Sequence, residues 1–224
     1  MTGGFDKLAA ARTSCRGFLD RPVGRDLIAD ILTTARTAPS GANLQPGSFH
    51  VLTGAALTDL SQRLLDAIDA GAPQTSEYSY FPTPMPAYLK ARQRAAGFAL
   101  YSALGIDRRD IEGRKDQFKR NYRFFDAPVG IVVTIHRGMG AGCFMDLGMA
   151  IQTLLLAAQD RGLGACGIGA LANYGPQVHQ ALTLPEDELV VCGIALGWPD
   201  PAHPANSVRT DRAALDDFAR FYGF

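Results

Sequence analysis

Apolar positions recur every three or four residues over 24–38, where Leu27, Ile28, Ile31, Leu32 and Ala35 share one helical face. Asp26 suits the electropositive first turn, and Pro39 ends the run. Phe49, His50, Val51 and Leu52 make a short strand candidate. A second helical stripe over 55–70 comprises Leu57, Leu60, Leu64, Leu65 and Ile68, with Gly71 placed for a C-cap. The apolar runs 129–135 and 189–196 read as buried strands. Between them lies the most apolar helix, 143–161, which Gly162 or Gly164 stops. Apolar nearly all round, it belongs at the centre of the molecule or at a subunit interface. A short helix follows Asn173, with Pro176 near its start, and another is expected around 211–221.

The pattern breaks between 72 and 123. Pro73, Pro82, Pro84 and Pro86 punctuate a loop over 72–88 that also carries Tyr78, Tyr80 and Phe81; loops of this length are often functional. Two polar helices joined near Gly105 follow, up to about residue 122. From Lys90 to Arg123 there are ten cations and four acids, so this stretch carries +6 and the rest of the chain −6. It reads either as a solvated helical face or as a lid, whose aromatics sandwich a flat ring and whose charge draws an anion. Few strands separated by many helices give an α+β fold, one domain over 1–224, with no internal repeat.

Composition narrows the function. At 24.0 kDa the chain can bury about 70% of its extended surface in one core without staples. The formal net charge is zero, which argues against a protein held on nucleic acid by bulk charge. No uninterrupted apolar run approaches a bilayer span, and the first residues lack the apolar core of a secretory signal. Four scattered cysteines make no disulfide framework, and four scattered histidines have no metal-ligand spacing. The expectation is a reduced cytoplasmic protein without a metal or a membrane.

Four segments could carry chemistry. Residues 162–167 match G-x-G-x-x-G, but a dinucleotide fingerprint follows a strand and opens a helix, whereas here a helix comes first. A helix cap running into a strand is the better reading, although glycine still lets backbone approach a flat ligand. Arg12, Ser14 and Arg16 place two guanidinium groups and a hydroxyl together; arginine forks match phosphate oxygens, and solvated surface arginines are the plain alternative. Pro39, Ser40, Asn43 and Gln45 lie in a turn with alternating donors and acceptors. Asn206 to Arg212 supplies further cations, Arg209 and Arg212, or is simply a solvated helix start.

Taken in order, Arg-x-Ser-x-Arg-x-Phe, then Pro-Ser-x-x-Asn-x-Gln-Pro, a helix ending in Gly-Leu-Gly and a late Arg before Leu-Asp, the chain resembles the FMN-dependent nitroreductase family over roughly 8–217. Residues 120–128 and the tail from Ala195 to Arg212 are similar to its nitrobenzoate-reductase-like branch. The resemblance implies a nitroreductase-like fold: a small mixed sheet flanked by helices in an intertwined homodimer, 72–123 as an active-site lid, and 198–224 wrapping the partner. Arg12, Ser14 and Arg16 would hold the FMN phosphate and ribityl chain, completed by Arg212 with Arg209 as second choice. Pro39, Ser40 and Asn43 would reach the flavin from the partner subunit. Gly167, Ile168, Gly169 and Ala170 would line the isoalloxazine, with the Gly169 N–H directed at N5. Tyr88, Tyr101, Arg120 and Arg123 are assigned to a small aromatic acceptor. The implied reaction is a two-electron ping-pong transfer from NADPH or NADH through FMN to nitroarenes, and to quinones, with nitro passing through nitroso to hydroxylamine. It needs no acid–base side chain. A dehalogenase or dehydrogenase on the same scaffold, or a non-catalytic flavin binder, are the alternatives. Two departures stand out: Gly47 where Trp is common, which implies a looser loop or another aromatic in the gap, and Gly167 where Pro is common.

Overall fold

Four strands, β1 (Ser48–Thr53), β2 (Val129–His136), β3 (Gly164–Ile168) and β4 (Glu188–Gly197), form one sheet in the order β1-β2-β4-β3 in the computed structural model, which describes residues 3–224. Every ladder is antiparallel. The expected mixed sheet is therefore corrected: the parallel pairing is confined to an isolated bridge between Ser14 and Ala165.

Strand alternation sends side chains to two cores. Val129, Ile131, Val133 and Ile135 pack beneath α2 (Arg25–Ala35) and α6 (Ala141–Asp160), against Ile28, Ile31, Leu147 and Leu154. Val132 points the other way, into Leu57, Leu60 and Leu64 of α3 (Gly54–Asp69) and Val178 of α7 (Gly175–Leu182). The sheet is thus covered on both faces, which is why its strands are apolar without alternation. A bulge shifts the β2–β4 register between Val133 and Thr134. It turns Val191 and Cys192 toward the same core.

α6 is 20 residues long with mean hydropathy 1.5 over an 18-residue window, enough by length and composition to cross a membrane, contrary to the expectation from uninterrupted runs. Leu147, Ala150, Leu154, Ala157 and Ala158 bury one side of it in the core. Met145 and Met149 on another side are exposed. The lid expectation becomes a loop followed by α4 (Ala87–Ala103) and α5 (Ile111–Lys119). Helix α1 (Gly4–Ala11) has no counterpart in the sequence reading, because it buries no residue and so leaves no apolar stripe. The expected tail helix over 211–221 shrinks to the single turn α8 (Leu215–Phe218), since its apolar residues have no core to pack on within the chain.

Candidate active site

The site is organised around β3. The Cys15 N–H donates to the Ala165 carbonyl at 3.1 Å, laying the segment Arg12 to Arg16 along that strand. Helix α1 ends at Arg12. Arg12, Ser14, Arg16, Arg209 and Arg212 then line one cavity of about 410 Å³, closed on another side by Ala96 of α4. Two stretches nearly 200 residues apart, each with a plain alternative as solvated surface, are here one feature.

Its electrostatics are one-sided. No carboxylate lies within 4.0 Å of any of these four guanidinium groups among the described residues. Arg209 donates to the carbonyls of Asn206 and Val208, and Arg212 to Thr210 and the Asp211 carbonyl. Arg16 lies over the Phe125 ring, 5.9 Å from its centroid. Four uncompensated cations beside a hydroxyl form a cradle for a multiply charged anion such as a phosphate monoester.

The glycine-rich segment runs as a strand out of a helix cap, which removes the dinucleotide reading. Cys166 and Ile168 turn inward, so Ile168 can offer only backbone to a ligand. Gly167 is exposed between them, and a Cβ there would meet nothing within 4 Å. Gly169 opens a 3-10 turn, Gly169–Tyr174. A Cβ on Gly169 would come 2.9 Å from Cε2 of Tyr80, so that ring closes over its backbone. Tyr80, one loop aromatic among several in the sequence, is the one whose ring lies against Gly169. Its place is set by anchors just before it: Thr75 N–H donates to the Asn173 carbonyl, Glu77 accepts from the Val190 N–H and pairs with Arg137, and the Tyr78 hydroxyl donates to the Val191 carbonyl at 2.7 Å. Burial raises the Tyr78 phenol pKa, keeping it a neutral donor.

Pro39, Ser40 and Asn43 sit in an exposed turn on α6, where Gly41 N–H donates to Asp146 and Ser40 Oγ accepts from Gln45 N–H. At Gly47 the nearest atoms to a built Cβ belong to Leu147 and the Thr134 carbonyl rather than to an aromatic ring. Arg36 donates to the carbonyls of Gln45, Pro46 and Gly47. The four residues assigned to an acceptor are not gathered in one place. Tyr88 and Tyr101 stand 13 positions apart on α4, about 20 Å along the axis. Tyr101 faces a groove with α5 and lies under Arg114. Arg123 pairs with Asp126 at 2.9 Å, while Arg120 packs against His203, Asp126 and the Arg16 carbonyl. No cluster of metal-ligating side chains occurs among the described residues.

Four guanidinium groups without acidic partners, bare glycine backbone on β3 and the Tyr80 ring beside it suit a phosphorylated ligand that carries a flat ring. The chain belongs to the Nitroreductase family, whose model matches residues 9–198. It is 38% identical over 219 residues to the chloronitrobenzene nitroreductase of Comamonas testosteroni, covering 97% of this chain and 96% of that protein. To the 4-nitrobenzoate reductase of Pseudomonas putida it is 35% identical over 224 residues, covering 100% and 98%. Among solved structures, the FMN and NADPH-dependent nitroreductase NfnB of Sphingopyxis sp. strain HMH superposes with a TM-score of 0.94 at 36% identity, over 97% of this chain and 98% of that one.

Proposed function

We propose that this protein is an FMN-dependent NAD(P)H oxidoreductase that reduces aromatic nitro compounds, and quinones with them. The observation that carries the reading is the cavity shared by Arg12, Ser14, Arg16, Arg209 and Arg212 without an acidic partner. Full-length relatives that reduce nitroaromatics, and solved relatives described as FMN- and NADPH-dependent, support it.

The residues fit the cofactor. Arg12, Arg16 and Arg212 neutralise a dianionic phosphate, with Ser14 as hydroxyl donor and Arg209 beside them. Gly167 and Gly169 let backbone approach the ring, and the Gly169 N–H is the donor we assign to the N5 edge, where it favours negative charge. Bound FMN supplies a two-electron carrier between a nicotinamide and the acceptor. The protein binds, orients and covers: Tyr80 and the lid bound the ring's open face, and no side chain is asked to move a proton. Each electron pair is taken with two protons, supplied by the nicotinamide hydride and by water, so nitro passes to nitroso with loss of water and nitroso to hydroxylamine. Initial rates with nicotinamide and nitroarene varied together should give parallel double-reciprocal lines, and intersecting lines would rule out one shared binding face.

The working unit is a homodimer with the flavin at the interface. The single chain exposes 13088 Å², against about 10,000 Å² expected for a folded monomer of this mass. Met145, Leu44, Phe218 and Phe221 are among its exposed apolar side chains. In this arrangement Pro39, Ser40 and Asn43 face the partner's flavin, and the expected wrapping tail narrows to 215–224, because 198–212 packs on its own chain through Trp198, Asp200 and Asn206. Removing the cradle tests the reading: a charge-assisted contact contributes about 1.5–3 kcal/mol, so Arg12→Ala with Arg212→Ala should lower FMN affinity by at least tenfold. Full flavin retention by that double variant would refute the phosphate site.

A further inference from the structure

We infer that Asn206 is the positioning residue that holds the two halves of the anion cradle in register; this rests on the phosphate reading above. Arg16 and Arg209 belong to segments remote in sequence, with no covalent reason to face one cavity. Asn206 joins them. Its Oδ1 accepts from the Arg16 N–H at 2.8 Å, and its Nδ2 donates to the Gly17 and Asp200 carbonyls, each at 2.8 Å. Its own carbonyl accepts from Arg209 Nη1 at 2.9 Å.

Among side chains of this size, only a primary amide offers one acceptor and two donors in a plane. An aspartate would set its second oxygen against two carbonyl oxygens. The asparagine is fixed in turn by the 3-10 turn Pro204–Ser207, where the Asn206 N–H donates to the His203 carbonyl at 2.9 Å and the neighbouring Ala205 is buried. One residue therefore sets the backbone that carries Arg16 and the guanidinium of Arg209 together. In the sequence it is one polar residue in a run of polar residues.

The test is to titrate the purified full-length chain with FMN and with riboflavin, which lacks the phosphate. Asn206→Ala should weaken FMN about tenfold while riboflavin changes less than about twofold, and the FMN effect should vanish in an Arg16→Ala, Arg209→Ala background. Asn206→Ser, which keeps one hydrogen-bonding group, should fall between and serves if the alanine variant is insoluble. Equal weakening of both flavins, no change in FMN affinity, or an undiminished effect in the arginine-free background would overturn the inference. A wild-type protein that binds riboflavin as tightly as FMN would overturn the phosphate reading and this inference together. Discrimination kept intact in Asn206→Ala and Asn206→Ser would overturn this inference alone.

Discussion

Gly47 has a φ of +90°, and a Cβ built on it would lie 2.5 Å from Cδ1 of Leu147, which is in the core. Both facts forbid a side chain, so Gly47→Ala should cost about 1–3 kcal/mol, read as a lower denaturant midpoint with an unchanged slope. The family comparison foresaw a difference at this position but not its meaning, because the room available depends on α6, about 100 residues away. The cysteines were more legible. Cys166 and Cys192, which have apolar neighbours in the sequence, are buried; Cys143, which has them too, is only half-buried, and Cys15, between Ser14 and Arg16, owes its burial to its place beside Ala165. Burial pushes the Cys15 thiol up to about 11 and the Cys192 thiol to about 12, and raises Cys166 as well. A raised thiol stays protonated and unreactive, so at pH 8 these three should resist a disulfide reagent in the native protein and react after denaturation. Rapid native labelling of any of them, located by mass spectrometry, would contradict this packing.

At the scale of elements, the loop over 72–86 is anchored on β4 beside its bulge. Beyond its pairing with β3 at Gly193, β4 presents bare backbone, an edge that would otherwise recruit another strand. Glu77 and Tyr78 take up the Val190 N–H and the Val191 carbonyl there, and this fixes the direction in which Tyr80 leaves the sheet. Glu77→Ala should leave that N–H and Arg137 without their partner, costing about 1–3 kcal/mol, and should raise protease sensitivity within residues 79–86. An unchanged cleavage pattern would show that this loop is held elsewhere. Helices α2 and α3 were legible from their apolar periodicity, and α6, β2 and β4 from nearly unbroken apolar runs. The anchors of the 72–86 loop were not, since a glutamate and a tyrosine in a proline-rich loop say nothing of the distant strand edge they meet.

At the scale of the molecule, the single chain looks like part of a larger object. Its surface is about 3,000 Å² larger than a 24.0 kDa monomer needs, or about 6,000 Å² over two chains, at the upper end for an obligate dimer interface. The chain should run in solution at about twice 24.0 kDa, by light scattering, with no dissociation at micromolar concentration. Deleting 215–224 should loosen the dimer. A monomer that binds flavin at full strength would contradict the interfacial site. The cradle was half legible: each arginine pair was visible as a motif, but only the fold makes them one cavity. The central claim is that this cavity holds FMN and that the protein passes electrons from a nicotinamide to a nitroarene. The most direct measurement is the visible spectrum of the purified protein without oxygen, before and after NADPH or NADH and then after a nitrobenzoate. The account requires a yellow protein that bleaches with the nicotinamide and regains its colour with the nitro compound. A protein that stays colourless with added FMN, or whose bound flavin does not bleach with either nicotinamide, would contradict it.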